Sequence, residues 1–209
     1  MRTEGVRYEP DLVIVCFVLN DVRDEAFLER FRDSHKGKLK RIYLSVFEKL
    51  SDHFALPFFM NRLAKGLRFG NGLLTGAIKM EEIKAQSLVS NPDRAETEQA
   101  WERTIRSLDG IFQLCEEQDV KSLLVIFPYK FQLKNNEEMA APQERLARYA
   151  DNAQIPCLDL LPYFRDIIVE TSADREHIYL DECHLSPSGS VFAAKAISDF
   201  ICEKELLWE

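Results

Sequence analysis

The sequence predicts an α/β domain built on a parallel sheet. Three observations carry that prediction: apolar runs rich in β-branched residues, helical patterns between them, and a length suited to one core. The run Leu12-Val13-Ile14-Val15-Cys16-Phe17-Val18-Leu19 follows Pro10 and stops at Asn20-Asp21. Apolarity without alternation marks a strand buried on both faces, the habit of parallel sheets. A second run spans Ser122 to Phe127 and ends at Pro128; a third, weaker one spans Ile155 to Leu160. The chain has 209 residues, and domains run from roughly 50 to 250, so 1–209 is expected to form a single domain.

The helices follow from three- and four-residue spacing of apolar side chains. Between about Ala95 and Gln118 that spacing places Trp101, Ile105, Leu108, Ile111, Phe112 and Cys115 on one face. A shorter helix is expected over Gln143 to Ala153, and a last one over Ser188 to Glu203, with Ser186 as a plausible N-cap and Pro187 at the first helical position. Alternating strands and helices are the grammar of a parallel sheet. Residues 22–90 interrupt it, being far longer than the roughly 2 to 6 residues of an ordinary strand-to-helix loop. They read as a helical insertion. From Glu29 to Arg68 it holds ten basic and four acidic residues, which suits a cover with a solvated basic face or a lid over an acyl or anionic substrate.

Composition excludes several classes. With 46% hydrophobic and 30% charged residues, 8 Gly and 8 Pro, the chain is neither collagen-like nor low in complexity. A formal charge of -8 has the wrong sign for gripping phosphate backbones, so no nucleic-acid partner is expected. Five cysteines without a C-x-x-C pair do not suggest a disulfide framework. Arg2 and Arg7 ahead of the first apolar run mimic a signal peptide, but Glu4, Glu9 and Asp11 contradict it. The eight residues of that run fall short of the roughly 20 needed to span a bilayer. Neither a signal peptide nor a membrane-spanning segment is expected.

Ligands of an open parallel sheet bind beyond the carboxyl ends of its strands. Asn20 follows the first run and can offer its amide to an oxyanion, although Asn-Asp is also ordinary turn chemistry. Pro128-Tyr129-Lys130-Phe131-Gln132 follows the second run, where Lys130 and Gln132 could touch a ligand or form a plain exposed loop. Asp181-Glu182-Cys183-His184 lies beyond the third run. A carboxylate three residues before an imidazole can accept from Nδ1 in a turn and leave Nε2 free as a base. Neighbouring side chains tend to project apart, so Cys183 is not expected to act as a nucleophile through His184. Asp181, Glu182, Cys183, His184 and His177 lack the spacing of the usual zinc sites, and no metal is expected.

The stretch Tyr8-Glu9-Pro10-Asp11-Leu12-Val13-Ile14-Val15 ending in Asn20-Asp21, with Asp181-x-x-His184-Leu185-Ser186-x-x-Gly189, resembles the SGNH (GDSL-type) hydrolase family. That family has a strand ending in G-x-N-D and a later D-x-x-H. The resemblance implies a flavodoxin-like three-layer sandwich, with Asn20 as an oxyanion-hole donor, Asp181 as the triad acid and His184 as the general base. Val18 replaces the glycine of the G-x-N-D block, the family's third. The blocks that carry the nucleophilic serine and a second glycine donor have no counterpart, so the sequence resembles the C-terminal majority of such a domain, truncated at its N-terminus, with no nucleophile in this chain.

The implied function is serine ester hydrolysis without cofactor or metal, acting on a small-molecule, glycan or lipid acyl ester and inactive in this chain by itself. The alternatives are acyl transfer on the same fold, or a non-catalytic module that binds a ligand or protein. With its first strand missing, the sheet would leave Leu12 to Leu19 at an edge, through which self-association is expected.

Overall fold

The computed structural model of the chain describes residues 5–22, 85–86, 88–89, 95–134, 137–171 and 175–207. Three strands, β1 (Leu12–Val18), β2 (Lys121–Phe127) and β3 (Cys157–Asp159), lie in that order in a parallel sheet. The register of β1 on β2 runs from Leu12↔Lys121 to Val18↔Phe127, and that of β2 on β3 from Leu124↔Cys157 to Ile126↔Asp159. Because all three strands point the same way, their carboxyl ends form one rim.

The helices are α1 (Ala95–Glu117), α2 (Ala141–Asn152), α3 (Leu160–Thr171), the single turn α4 (Arg175–Ile178) and α5 (Pro187–Glu203). Side chains alternate across a strand, and β2 divides the core accordingly. Leu124 and Ile126 pack with Trp101, Leu108 and Phe112 of α1 and with Leu146 and Ala150 of α2. Leu123 and Val125 pack with Phe164 and Ile167 of α3 and Ala193 and Ala196 of α5. Helices therefore cover both faces of the sheet, as the continuous apolar runs predict. Arg145 pins α2 to α1: it grips Glu98 through two bonds of 2.6 and 2.7 Å and lies 5.2 Å above the Trp101 ring. Among the described residues, no helix is long and apolar enough to cross a membrane.

The third strand, read as Ile155 to Leu160, departs most from the sequence reading. The third strand stops at Asp159 instead of Leu160, and a helix without counterpart in that reading, α3, begins at once. Asp159 Oδ1 accepts the Leu161 N–H at 2.9 Å, satisfying one of the free donors of the first turn. Leu160, Leu161, Phe164 and Ile167 are buried at three- and four-residue spacing, and Pro162 falls in the first turn, where a missing N–H is harmless. Most of the insertion expected over 22–90 lies outside the described residues. Of it, Val22, Ala85, Leu88 and Val89 are buried against the α1 face of the core.

Candidate active site

The Asp181 to His184 turn is closed by backbone pairing before any side chain contributes. Tyr179 and Leu185 form an antiparallel bridge, Leu180 N donates to His184 O at 2.8 Å, and Ser186 N donates to Ile178 O at 2.8 Å. Below it α5 begins with Ser186 as its N-cap, whose Oγ accepts from Gly189 N at 3.0 Å. Gly189 is required here: a Cβ would stand 2.1 Å from the Ile178 carbonyl oxygen. The turn is also tied to the end of β2. Lys130 N donates to Glu182 O at 2.9 Å, and the buried Tyr179 hydroxyl donates to Pro128 O. Burial pushes the Tyr179 phenol up, so it stays a donor.

Within the turn Asp181 uses its two oxygens differently. Oδ1 accepts the backbone N–H of Cys183 at 2.9 Å and of His184 at 2.8 Å, while Oδ2 lies 2.7 Å from His184 Nδ1. Partial burial raises the Asp181 pKa, but the two backbone donors and then His184 outweigh it, and the net shift is downward. The carboxylate therefore fixes Nδ1–H as the inner tautomer. The His184 side chain is 70% exposed and that of Asp181 30%, so among the described residues Nε2 has no protein partner. The expected contact between Asp181 and His184 Nδ1 is formed.

Asn20 sits in the 3-10 turn Leu19–Asp21 directly beyond β1 and is exposed. It shares the rim with the pair, but among the described residues nothing holds its amide. Its neighbour Asp21 does the turn work, accepting the Val18 N–H at 3.0 Å. Gln132, read as able to reach a ligand, is instead wholly buried. Its Oε1 accepts from Tyr129 N at 2.8 Å and Gln143 Nε2 at 3.1 Å, and its Nε2 donates to Met139 O at 2.7 Å and Gln143 Oε1 at 2.8 Å. All four hydrogen-bonding positions are used, which makes Gln132 a brace for the loop after β2. Gln143, its partner, carries no sequence signal beyond its place in a helix.

Cys183 is a further correction, because the expected divergence of adjacent side chains fails in so tight a turn. Its Sγ lies 3.6 Å from His184 Nδ1, the nitrogen already facing Asp181. One carboxylate oxygen, the thiol and the imidazole nitrogen all fall within 4.8 Å of one another, a cluster that linear spacing does not show. A second rim carboxylate was also not singled out: burial pushes Asp159 up to about 6, against the Leu161 N–H and then Arg165, which pull it down.

No serine completes a triad among the described residues. Ser186 is buried and committed to Gly189 N and His177 O, and Ser190 donates to Ser186 O. Two open cavities of about 700 and 590 Å³ are lined by Pro10, Asp11, Val120 and Lys121, and by Ser122, Gln154 and Pro156. Both lie at the amino ends of the strands, opposite the rim where a parallel sheet positions ligands. No family model matches the sequence, and no curated protein or solved structure matches it significantly.

Proposed function

We propose that this chain supplies the acid–base part of an SGNH-type site that cleaves acyl esters. In this reading His184 is the general base, Asp181 its orienting acid and Asn20 an oxyanion donor. The observation that carries it is the 2.7 Å contact between Asp181 Oδ2 and His184 Nδ1 at the carboxyl rim of a parallel sheet, with Nε2 left open. A serine brought to Nε2 would lose its proton to it and attack the ester carbonyl. Asn20 would then stabilise the oxyanion, and the imidazolium would protonate the departing alcohol. Water resolves the acyl-enzyme; an alcohol in its place makes the same site an acyltransferase.

The flavodoxin-like arrangement belongs to the same proposal. Among the described residues β1 has a partner on one side only, and a strand bearing the serine would add there. The same open edge would support self-association. The substrate class is a small-molecule, glycan or lipid acyl ester. A second reading, a non-catalytic binding module, draws support from the commitment of Ser186 to capping.

Reconstitution separates the two. DNA preceding the Met1 codon is read in all frames for Gly-Asp-Ser after an apolar strand, and that segment is joined to this chain. Esterase activity should appear in the joined protein and in neither piece. There His184→Ala should remove most of it, and Asn20→Ala should lower kcat by about 10²- to 10³-fold. Unchanged rates in both folded variants would remove His184 and Asn20 from these roles, and a folded joined protein without esterase activity would transfer the assignment to the binding module.

A further inference from the structure

We infer that Asp181, Cys183 and His184 form a zinc-binding site that, when filled, takes His184 out of service as a base. The donor set of carboxylate, thiolate and imidazole suits Zn²⁺ and not the hard cations Mg²⁺ or Ca²⁺, which prefer all-oxygen shells. The sulfur–nitrogen distance agrees with the metal's size. Zn–S near 2.3 Å and Zn–N near 2.0 to 2.1 Å at a tetrahedral angle put sulfur and nitrogen about 3.5 Å apart, and Cys183 Sγ stands 3.6 Å from His184 Nδ1. Tetrahedral nitrogen and oxygen ligands lie about 3.3 Å apart, so the 2.7 Å contact of Asp181 Oδ2 with Nδ1 must open by a few tenths of an ångström as the shared proton leaves.

The turn is prepared for this. Asp181 Oδ1 is held by two backbone N–H groups, which leaves Oδ2 as the ligand atom and orients it as an outer shell does in built metal sites. Cys183 packs against the core cluster of Phe17, Leu19 and Tyr129, which limits its movement. Among the described residues three protein ligands meet at this exposed rim, which leaves the fourth position to water.

Binding moves two protons. The Cys183 thiol loses one to solvent. The Nδ1 proton of neutral His184 is replaced by the metal, and the ring takes a proton at Nε2 in exchange, so the nitrogen that served as acceptor becomes a donor. Metal binding rests on the geometry alone; only its effect on ester cleavage rests on His184 acting as the base.

The experiment uses the whole chain, reduced and freed of metal with EDTA, so a failure of the esterase reading leaves it untouched. Co²⁺ is added as the spectroscopic probe and then displaced by Zn²⁺. One equivalent should bind with a thiolate-to-cobalt charge-transfer band. Cys183→Ser should abolish that band and weaken Zn²⁺ binding by about a hundredfold or more, and His184→Ala should weaken it comparably. Cys16→Ser and Cys202→Ser, at the exposed cysteines, should change nothing. In ¹⁵N spectra Zn²⁺ should move the His184 proton from Nδ1 to Nε2. A thiolate band that survives Cys183→Ser, an unchanged Zn²⁺ affinity in His184→Ala, the lack of any such band, or an unchanged His184 tautomer under saturating Zn²⁺ each overturns the site.

Discussion

β1 and β2 are both seven-residue strands, they pair along their whole length, and they read almost alike in sequence. Their surroundings differ. In β2 Leu123, Leu124, Val125 and Ile126 are wholly buried between two strands and two helical layers, whereas in β1 Phe17 alone is fully buried and Ile14 is 38% exposed. Val15 and Phe17 face α1, where Phe17 stacks on Trp101 at 6.3 Å, while Cys16 on the opposite side is exposed. A continuous apolar run thus states what environment a strand is suited to, and the neighbouring elements decide whether it is supplied.

The largest test of that contrast is truncation at equivalent depth in the two strands. Leu123→Ala, at the register partner of Ile14, should cost about 2 to 5 kcal/mol, because it leaves a cavity among fixed neighbours. Ile14→Ala should cost less than about 1 kcal/mol, since part of the side chain already meets water. Denaturant unfolding of both variants reads the difference. Equal losses would mean that β1 is as enclosed as β2.

The loops at the two strand ends repeat the contrast. Gln132→Ala would strand Tyr129 N–H, Met139 C=O and the Gln143 amide in a dry interior, at a cost of about 3 kcal/mol. Asn20→Ala, after β1, should leave stability within about 0.5 kcal/mol. Thermal unfolding of the pair checks this. A destabilised Asn20→Ala would assign the amide a bracing role like that of Gln132.

These cases also show what could be read from the chain. The three strands, α1, α2 and α5 follow from period and composition, because burial on two faces and on one helical stripe leaves different spacings of apolar residues. Asp181 and His184 were legible because their contact closes within three residues, so a turn suffices to join them. Gln132 was not, because its partners Met139 and Gln143 lie seven and eleven residues away, and polarity alone does not distinguish a brace from a solvated side chain. The start of α3 was hidden because Leu160 continues an apolar run while Asp159, inside that run, caps the helix. Cys183 required the curvature of the turn itself.

The rim carboxylates beyond β2 and β3 differ in the sign of their pH dependence. Asp159, at the end of β3, has a folded-state pKa raised to about 6, chiefly by burial. As pH rises from about 4, the unfolded chain gives up this proton first, so its contribution is full below the ordinary carboxylate value and is lost as pH passes about 6. The change should be about 3 kcal/mol. Asp181, in the turn tied to the end of β2, is lowered; its contribution is present above the ordinary value and is lost as pH falls through its folded value. Asp159→Asn should flatten the decline in stability between pH 4 and 6, followed by unfolding at several pH values. An unchanged slope would place its source elsewhere.

The smallest contrast is at the strand entrances. Glu9, Asp119 and Gln154 precede β1, β2 and β3 with φ of 47°, 54° and 54°, a left-handed conformation that costs a side-chain-bearing residue about 1 to 2 kcal/mol. Asp119 and Gln154 are the residues after the C-caps of α1 and α2. Val120 N donates to Cys115 O and Asp119 N to Glu116 O, and Ile155 N to Ala150 O and Gln154 N to Asp151 O, the pairing of a Schellman ending in which glycine is usual. Glycine relieves the strain but widens the unfolded ensemble. Asp119→Gly and Gln154→Gly should therefore each stabilise the fold by only about 0.5 to 1 kcal/mol. Glu9→Gly should gain less, because Glu9 follows only the single 3-10 turn Gly5–Tyr8 and the strand it opens is half exposed. Unfolding midpoints measured at constant m-value decide it. A gain at Glu9 equal to the other two would show that β1 is held at its entrance as firmly as its neighbours, and the contrast between the strands would then lie only in what covers them.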